Sequence, residues 1–229
     1  MNPLITLRHA IRIWRRNWKV FSRLWPAEFP PMFAEPLVVL GAMGLGVGTY
    51  VAIEGVDSYL EFIAPGILGA YTLFAAAFEC TYGSYMRMTI RGIYQSMIAT
   101  SVSIEDVITG EILWGATRSV MSATAILIVI WAFGFVHSPL ALLVPIAAFF
   151  GGLLFSSLTL VYTAFAPSLN AFNYFISLFL FPMFFISGTF YPLERYPEIV
   201  QQLAWVLPLP PFIHIMRNLT EGNLSITML

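Results

Sequence analysis

The sequence predicts an all-α polytopic membrane protein, and three observations carry that prediction. Of its 229 residues, 59% are hydrophobic and 10% charged, against about 25% charged in a soluble domain. Five apolar runs follow one another between short polar turns, each long enough to cross about 30 Å of hydrocarbon as a helix. Six basic residues gather ahead of the first run: Arg8, Arg12, Arg15, Arg16, Lys19 and Arg23. A soluble fold of this length has too little interior for so much apolar side chain, so most of it must meet lipid or other membrane helices.

The first element spans 4–25. Leu4, Leu7, Ile11, Trp14, Trp18, Phe21 and Trp25 recur at spacings of three and four, and the six bases fall on another face. At about 100° per residue this describes an amphipathic helix lying in the membrane interface. Pro26, Pro30 and Pro31 are expected to end it and turn the chain. The basic start leads into an apolar run that is too long for a signal peptide and lacks a small-residue cleavage site, so the first span is expected to stay in the membrane.

Five spans follow, at 32–53, 62–83, 112–136, 140–165 and 171–190. The first contains Gly44-x-x-x-Gly48, a spacing that lets helix backbones approach in lipid. Glu54, Asp57 and Glu61 mark an acidic loop, and His137-Ser138-Pro139 and Ala166–Asn170 are minimal turns. Beyond Gly188, Pro192, Pro197, Pro208, Pro210 and Pro211 forbid one long helix. One or two short helices are expected over 191–211, at the membrane surface, with no span in 212–229.

The eleven Lys and Arg residues set the orientation. Nine lie on the side of the N-terminus and the 84–111 segment, and only Arg195 and Arg217 on the other. Positive charge stays inside, so the N-terminus and 84–111 are expected in the cytoplasm, and the acidic loop and 191–211 outside. The net charge of −1 offers no general attraction for nucleic acid.

The 84–111 segment is where chemistry concentrates. Residues 86–98 pattern as a helix with Met86, Ile90, Ile93, Tyr94 and Met97 on one side. Ser103-x-x-Asp106 matches a capping box at the start of the helix that becomes the third span. A short helix held between two spans is a lever if a partner grips it and a plain connector otherwise. Glu79, Glu111 and Arg118 lie inside apolar runs, where ionised groups are costly and usually pair; Glu79–Arg118 and Glu111–Arg118 are the expected alternatives. Cys80 is the single cysteine, best read as a small buried hydrophobe. No phosphate-binding loop, nucleophile elbow or His-Glu-x-x-His is present, and no metal-ligand spacing occurs.

Several ordered motifs carry a resemblance: Phe78-Glu79-x-x-Tyr82-Gly83-Ser84-Tyr85-x-Arg87-Met88, Glu105-Asp106-Val107-x-x-Gly110-Glu111-x-x-Trp114-x-Ala116-Thr117-Arg118, Ala164-x-Ala166-Pro167-Ser168, Pro182-Met183-x-Phe185-x-Ser187-Gly188-x-Phe190-Tyr191-Pro192 and Leu207-Pro208-Leu209. Across essentially its whole length the chain resembles the permease subunits of ABC-2 type exporters, in particular the nodulation-protein J group. The resemblance implies a homodimer in the bacterial inner membrane that binds two copies of a cytoplasmic ABC ATPase. ATP and Mg would sit on that partner and no cofactor on this chain. It assigns the ATPase contact to the interface helix, here Arg8, Arg12, Trp14, Arg15 and Trp18. The coupling segment 86–103 and the cap after it add Arg91, Gln95, Ile98, Thr100, Ser103, Glu105 and Asp106. Spans one, two and five would move around a central path, and the short outer helices would cap its exit. The cargo would be amphipathic: a lipo-oligosaccharide, a lipid-linked saccharide or a drug. The family carries a sixth span, for which about 20 further apolar residues would be needed after this chain's Leu229.

Two other functions compete. An integral-membrane lipid-processing enzyme would need clustered polar residues at one depth, and the 137–139 and 166–170 turns are too short to supply them. A channel would show rings of like charge or a repeated pore motif, and the sequence has neither.

Overall fold

A computed structural model describes residues 3–51 and 58–222 of the chain, with side chains from residue 7 onward. Ile53, Glu54, Asp57 and the segment 223–229, which enter the expectations above, lie outside these. Every regular element among the described residues is helical, with no strand. Four helices are long and apolar enough to cross a membrane, or five if one sharply bent pair counts as a span.

Helix α1 runs Pro3–Ala42 and ends in a wider π turn at Met43–Val47. The expected break at Pro26–Pro31 does not occur: Pro26, Pro30, Pro31 and Pro36 all lie inside one helix. Each proline removes one backbone donor and crowds the carbonyl four residues back. Membrane helices tolerate such losses where neighbouring helices, hydroxyl side chains or local π and 3-10 adjustments re-satisfy the freed groups. Interface helix and first span are therefore one element.

Helix α2, Tyr59–Phe78, starts on a Ser58 cap and continues through π turns at Glu79–Gly83 and Met86–Ile90. The second span thus extends to Ile90, beyond the expected end at 83. Fifteen of the twenty residues of α2 are buried, which makes it the hub of the bundle. The expected helix over 86–98 is broken at Gly92, which takes a left-handed conformation at φ 59° that a side chain would strain. Only the six-residue α3, Ile93–Ile98, follows it. Helix α4, Ile104–Ala132, starts on its Ser103 cap, eight residues before the expected apolar boundary.

After a 3-10 turn at Pro139–Leu143 comes α5, Val144–Phe165. The fifth apolar stretch is one short helical run, Ala171–Phe185, formed by α6 (Ala171–Phe175), a π turn and α7 (Phe181–Phe185). It ends five residues before the expected 190. Helices α8, Glu198–Val206, and α9, Leu209–Glu221, are bent by 86° against each other. The second of these corrects the expectation of surface helices alone. Leu209, Phe212, Ile213 and Met216 of α9 are buried in the main core, and a Cβ on Gly69 of α2 would come 2.8 Å from Ile213. Two features hid this: three prolines at the start of α9, and an apolar stripe on only one face.

Small residues set the spacing of the long helices. A Cβ on Gly110 of α4 would reach Ile13 of α1 at 2.7 Å, and one on Gly115 would run into Ser156 of α5 and Cys80. Cys80 itself is fully buried. Gly44 abuts Leu60, whereas Gly41 and Gly46 meet nothing.

The two ends of the bundle are defined by contacts between elements. At one end His137 Nε2 lies 3.3 Å from Glu61 Oε1, the Tyr59 hydroxyl donates to the Phe190 carbonyl, and the His137 and Ser138 N–H groups donate to the Thr220 carbonyl. Residues 190 and 220 therefore lie at the same end, so α8 and α9 enter the bundle and return to the face they left. At the other end are α3, the α4 cap, and Pro167, whose carbonyl accepts from the Tyr85 hydroxyl.

Candidate coupling site and its charge network

The α4 cap is a three-way knot. Ser103 Oγ accepts from the Asp106 N–H at 3.2 Å, and Asp106 Oδ2 accepts from the Ser103 N–H at 3.0 Å. The same Asp106 Oδ2 lies 3.0 Å from His9 Nδ1 of α1. Asp106 is buried, so its carboxylate organises the connector from within. Above the knot, Ile13, Tyr94 and Val107 form a small separate core with Met88, Met97 and Val102 against it. Burial pushes the Tyr94 phenol well above its ordinary pKa, with the Glu111 charge adding to the shift, and its hydroxyl finds no hydrogen-bond partner. Arg91, Gln95, Ile98, Thr100 and Glu105 are exposed on the outer side of this connector.

The N-terminal half of α1 carries three faces rather than two. Ala10, Ile13 and Asn17 are buried against α4. Trp14 Nε1 donates to Thr117 Oγ1 of α4 at 2.8 Å, and Phe21 meets Trp114 edge-on. Leu7, Ile11, Trp18 and Trp25 stay exposed as an apolar row, and Arg8, Arg12 and Arg15 are exposed beside them.

Below the connector the buried charges join α1, α2 and α4. Arg87, at the end of the second long helix, lies 2.5 Å from Glu111 Oε2 and 2.8 Å from Glu79 Oε1 through its Nη2. Its Nε donates to Glu111 Oε2 as well, at 3.0 Å. Glu111, with 1% of its side chain exposed, also accepts from Ser84 Oγ at 2.8 Å and from Asn17 Nδ2 at 3.1 Å. Four donors around one carboxylate offset much of the cost of burying it. Glu79 Oε2 lies 3.5 Å from Arg118 Nε, and Arg118 Nη1 lies 2.9 Å from Glu28 Oε2 of α1. Of the two expected pairings, Glu79 and Arg118 are therefore neighbours, while Glu111 pairs with Arg87.

Arg87, Glu28 and Asn17 escaped sequence reasoning. The sequence puts Arg87 in a separate helix after a span ending at 83; the helix that continues past Gly83 puts it two turns beyond Glu79 on one face. Asn17 is a buried polar residue on the face of α1 that carries Ala10 and Ile13. The π turn also gives the pair room: a Cβ on Gly83 would come 2.6 Å from Glu79 Oε1, and π turns often mark functional sites. Among the described residues, no three His, Cys, Asp or Glu side chains are grouped to hold a metal.

Next to Arg118 opens a cavity of about 460 Å³ between α1, α2 and α4, whose lining includes Glu28, Glu35, Tyr71, Phe74, Glu79 and Arg118. Helices long enough to span a membrane, a basic N-terminal end and a charge network buried between three of those helices form the frame of this site. Residues 9–220 match the model of the ABC-2 type transporter family, and the chain belongs to that family. It is a multi-pass membrane permease, and the family implies partnership with an ABC ATPase. The chain is similar to nodulation protein J of Rhizobium leguminosarum bv. viciae, with 35% identity over 93% of this chain and 82% of that one. Nodulation protein J of Sinorhizobium fredii is 32% identical over 90% of this chain and 79% of its own length. The inner membrane transport permease YadH of Escherichia coli is 24% identical over 93% of this chain and 82% of its own. No solved structure matches the chain.

Proposed function

We propose that the chain is the membrane subunit of an ATP-driven exporter that moves an amphipathic substrate across the bacterial inner membrane. It works as a homodimer with a cytoplasmic ABC ATPase, which holds the ATP and Mg. The positive-inside distribution supports a cytoplasmic N-terminus and α3, and the exposed row of Leu7, Ile11, Trp18 and Trp25 suits the membrane interface on that side. α8 and α9 then form a re-entrant pair at the outer face. The observation that supports this reading best is the continuity from connector to network. Arg91, Gln95, Ile98, Thr100 and Glu105 are accessible on α3 and its flanks, and the Ser103–Asp106–His9 knot fastens that connector to α1 and α4. Arg87, Glu111 and Asn17 then link α2, α4 and α1. A push on α3 is shared by three helices at once, so a nucleotide-driven partner there can move the bundle as a unit.

Co-expression with its ABC ATPase, and purification through a tag on this chain, tests the reading. Ile98→Lys and Glu105→Lys alter exposed side chains, and each is expected to reduce the retained ATPase severalfold while leaving the permease monodisperse. Equal retention by both variants would remove the connector from the contact.

A further inference from the structure

Glu35 of α1 lies about half a hydrocarbon thickness from the outer ends of three helices. It lines the α1–α2–α4 cavity together with Tyr71 and Ser122, and Ser122 Oγ donates to the Tyr71 carbonyl at 3.2 Å. Ser122 lies ten residues before the outer end of α4, about 15 Å along its axis. Tyr71 lies twelve residues, or about 18 Å, into α2 from that same end. Glu35 lies twelve residues, again about 18 Å, before Val47, and Gly44 abuts Leu60 to align the two helices. Half of a 30 Å hydrocarbon core is about 15 Å.

Glu35 is exposed on the protomer. Among the described residues no ion pair reaches it, whereas Glu28 and Glu79 are each within 4 Å of an arginine. A carboxylate at this depth costs a few kcal/mol or more against lipid, so such residues face water or a partner. The cavity beside it carries Glu28, Glu35 and Glu79 against Arg118 alone, and Arg118 is already shared by Glu28 and Glu79. Tyr71, Phe74 and Phe78 give the wall aromatic rings, which attract cations across their faces.

We infer that Glu35 is a cargo-binding carboxylate, and that the cavity takes amphiphiles whose head group carries a protonated amine, the alkyl part lying along the aromatic wall. This rests on the permease reading and adds the head-group chemistry that this site selects. A protonated amine forms a charge-assisted hydrogen bond with the Glu35 carboxylate, which a neutral hydroxylated head group does not match.

The test uses the chain in lipid nanodiscs without ATPase, so a failure of ATPase coupling does not bear on it. Three matched probes share a dansyl-labelled dodecyl chain ending in a primary amine, its N-acetyl derivative or a carboxylate, and binding is read by fluorescence against empty discs. The amine is expected to bind about tenfold more tightly than the acetylated probe, with the carboxylate weakest. Glu35→Gln, which keeps size and hydrogen bonding, is expected to abolish that preference, and Glu35→Asp to keep most of it. Equal binding of amine and acetylated probes by the unaltered chain would overturn the inference. A preference that persists in Glu35→Gln would overturn it too.

Discussion

Arg87 and Glu111 form a buried ion pair, with Nη2 and Oε2 2.5 Å apart, that fastens the C-terminal end of the second long helix to α4. Removing one partner of a buried pair leaves the other charge uncompensated, which typically costs about 3–5 kcal/mol. Arg87→Ala is expected to lower thermal stability in detergent by several kcal/mol, and Arg87→Lys by less, since an ammonium replaces the forked guanidinium on two carboxylates at once. Thermal unfolding of the purified variants checks this order; an Arg87→Ala protein as stable as the parent would dismiss the pair.

Because Arg87 lies between Glu79 and Glu111, the cluster behaves as a network. Glu79→Gln and Glu111→Gln each leave Arg87 one carboxylate. The double variant leaves none, so its loss of stability is expected to exceed the sum of the singles by about 1 kcal/mol or more. The charge swap Glu79→Arg with Arg118→Glu is expected to rescue nothing, because an arginine at 79 would face Arg87.

The capping knot is a local event with a local readout. Ser103→Ala is expected to cost about 1 kcal/mol and to speed amide exchange over the first turn of α4, Ile104–Val107, more than anywhere else in the helix. Uniform exchange along α4 in this variant would count against the cap as its anchor.

Tyr94 gives a pH signature. Its buried phenol titrates above its unfolded value of about 10, so the neutral form is favoured in the folded state. That contribution is present in full below pH 10 and falls away as pH rises through the interval up to the folded value. Tyr94→Phe removes an unpartnered buried hydroxyl and is expected to be neutral or stabilising by about 1 kcal/mol. It should also flatten the loss of stability above pH 10, which thermal scans between pH 8 and 11 would show.

Close approach of α1 to α4 depends on Gly110. A valine there would meet Ile13, whose Cβ would lie 2.7 Å from the first added carbon. Gly110→Val is expected to cost about 1–3 kcal/mol and to shift the emission of Trp14, whose indole bonds Thr117; an unchanged spectrum would speak against the contact.

Much of this was legible in the sequence because lipid leaves few options. Long apolar runs must be helices, and basic residues must gather on one side. The Ser103-x-x-Asp106 cap was readable because its spacing alone defines it. What failed were inferences about where helices stop. Pro26, Pro30 and Pro31 end helices in water but not here, and the second span reads as ending at Gly83 although the helix passes through Ser84 to Ile90. That error concealed Arg87. Residues 191–211 read as surface helices and 212–229 as holding no span because the prolines weaken the helix signal, yet Ile213 and Met216 of α9 are packed into the core. Pairing partners across helices, such as Asn17 with Glu111 or Glu28 with Arg118, leave no local pattern; only the assembled bundle reveals them.

The most direct test of the whole account is the sidedness of its two end structures. Cys80, the single cysteine, is fully buried, so a new surface thiol reports alone. Thr100→Cys on the connector and Glu198→Cys on α8 are each exposed to a membrane-impermeant maleimide in intact spheroplasts and again after lysis. The account predicts that position 198 is labelled in intact cells and position 100 only after lysis. Labelling of position 100 from outside would place the connector beyond reach of any cytoplasmic ATPase and contradict it.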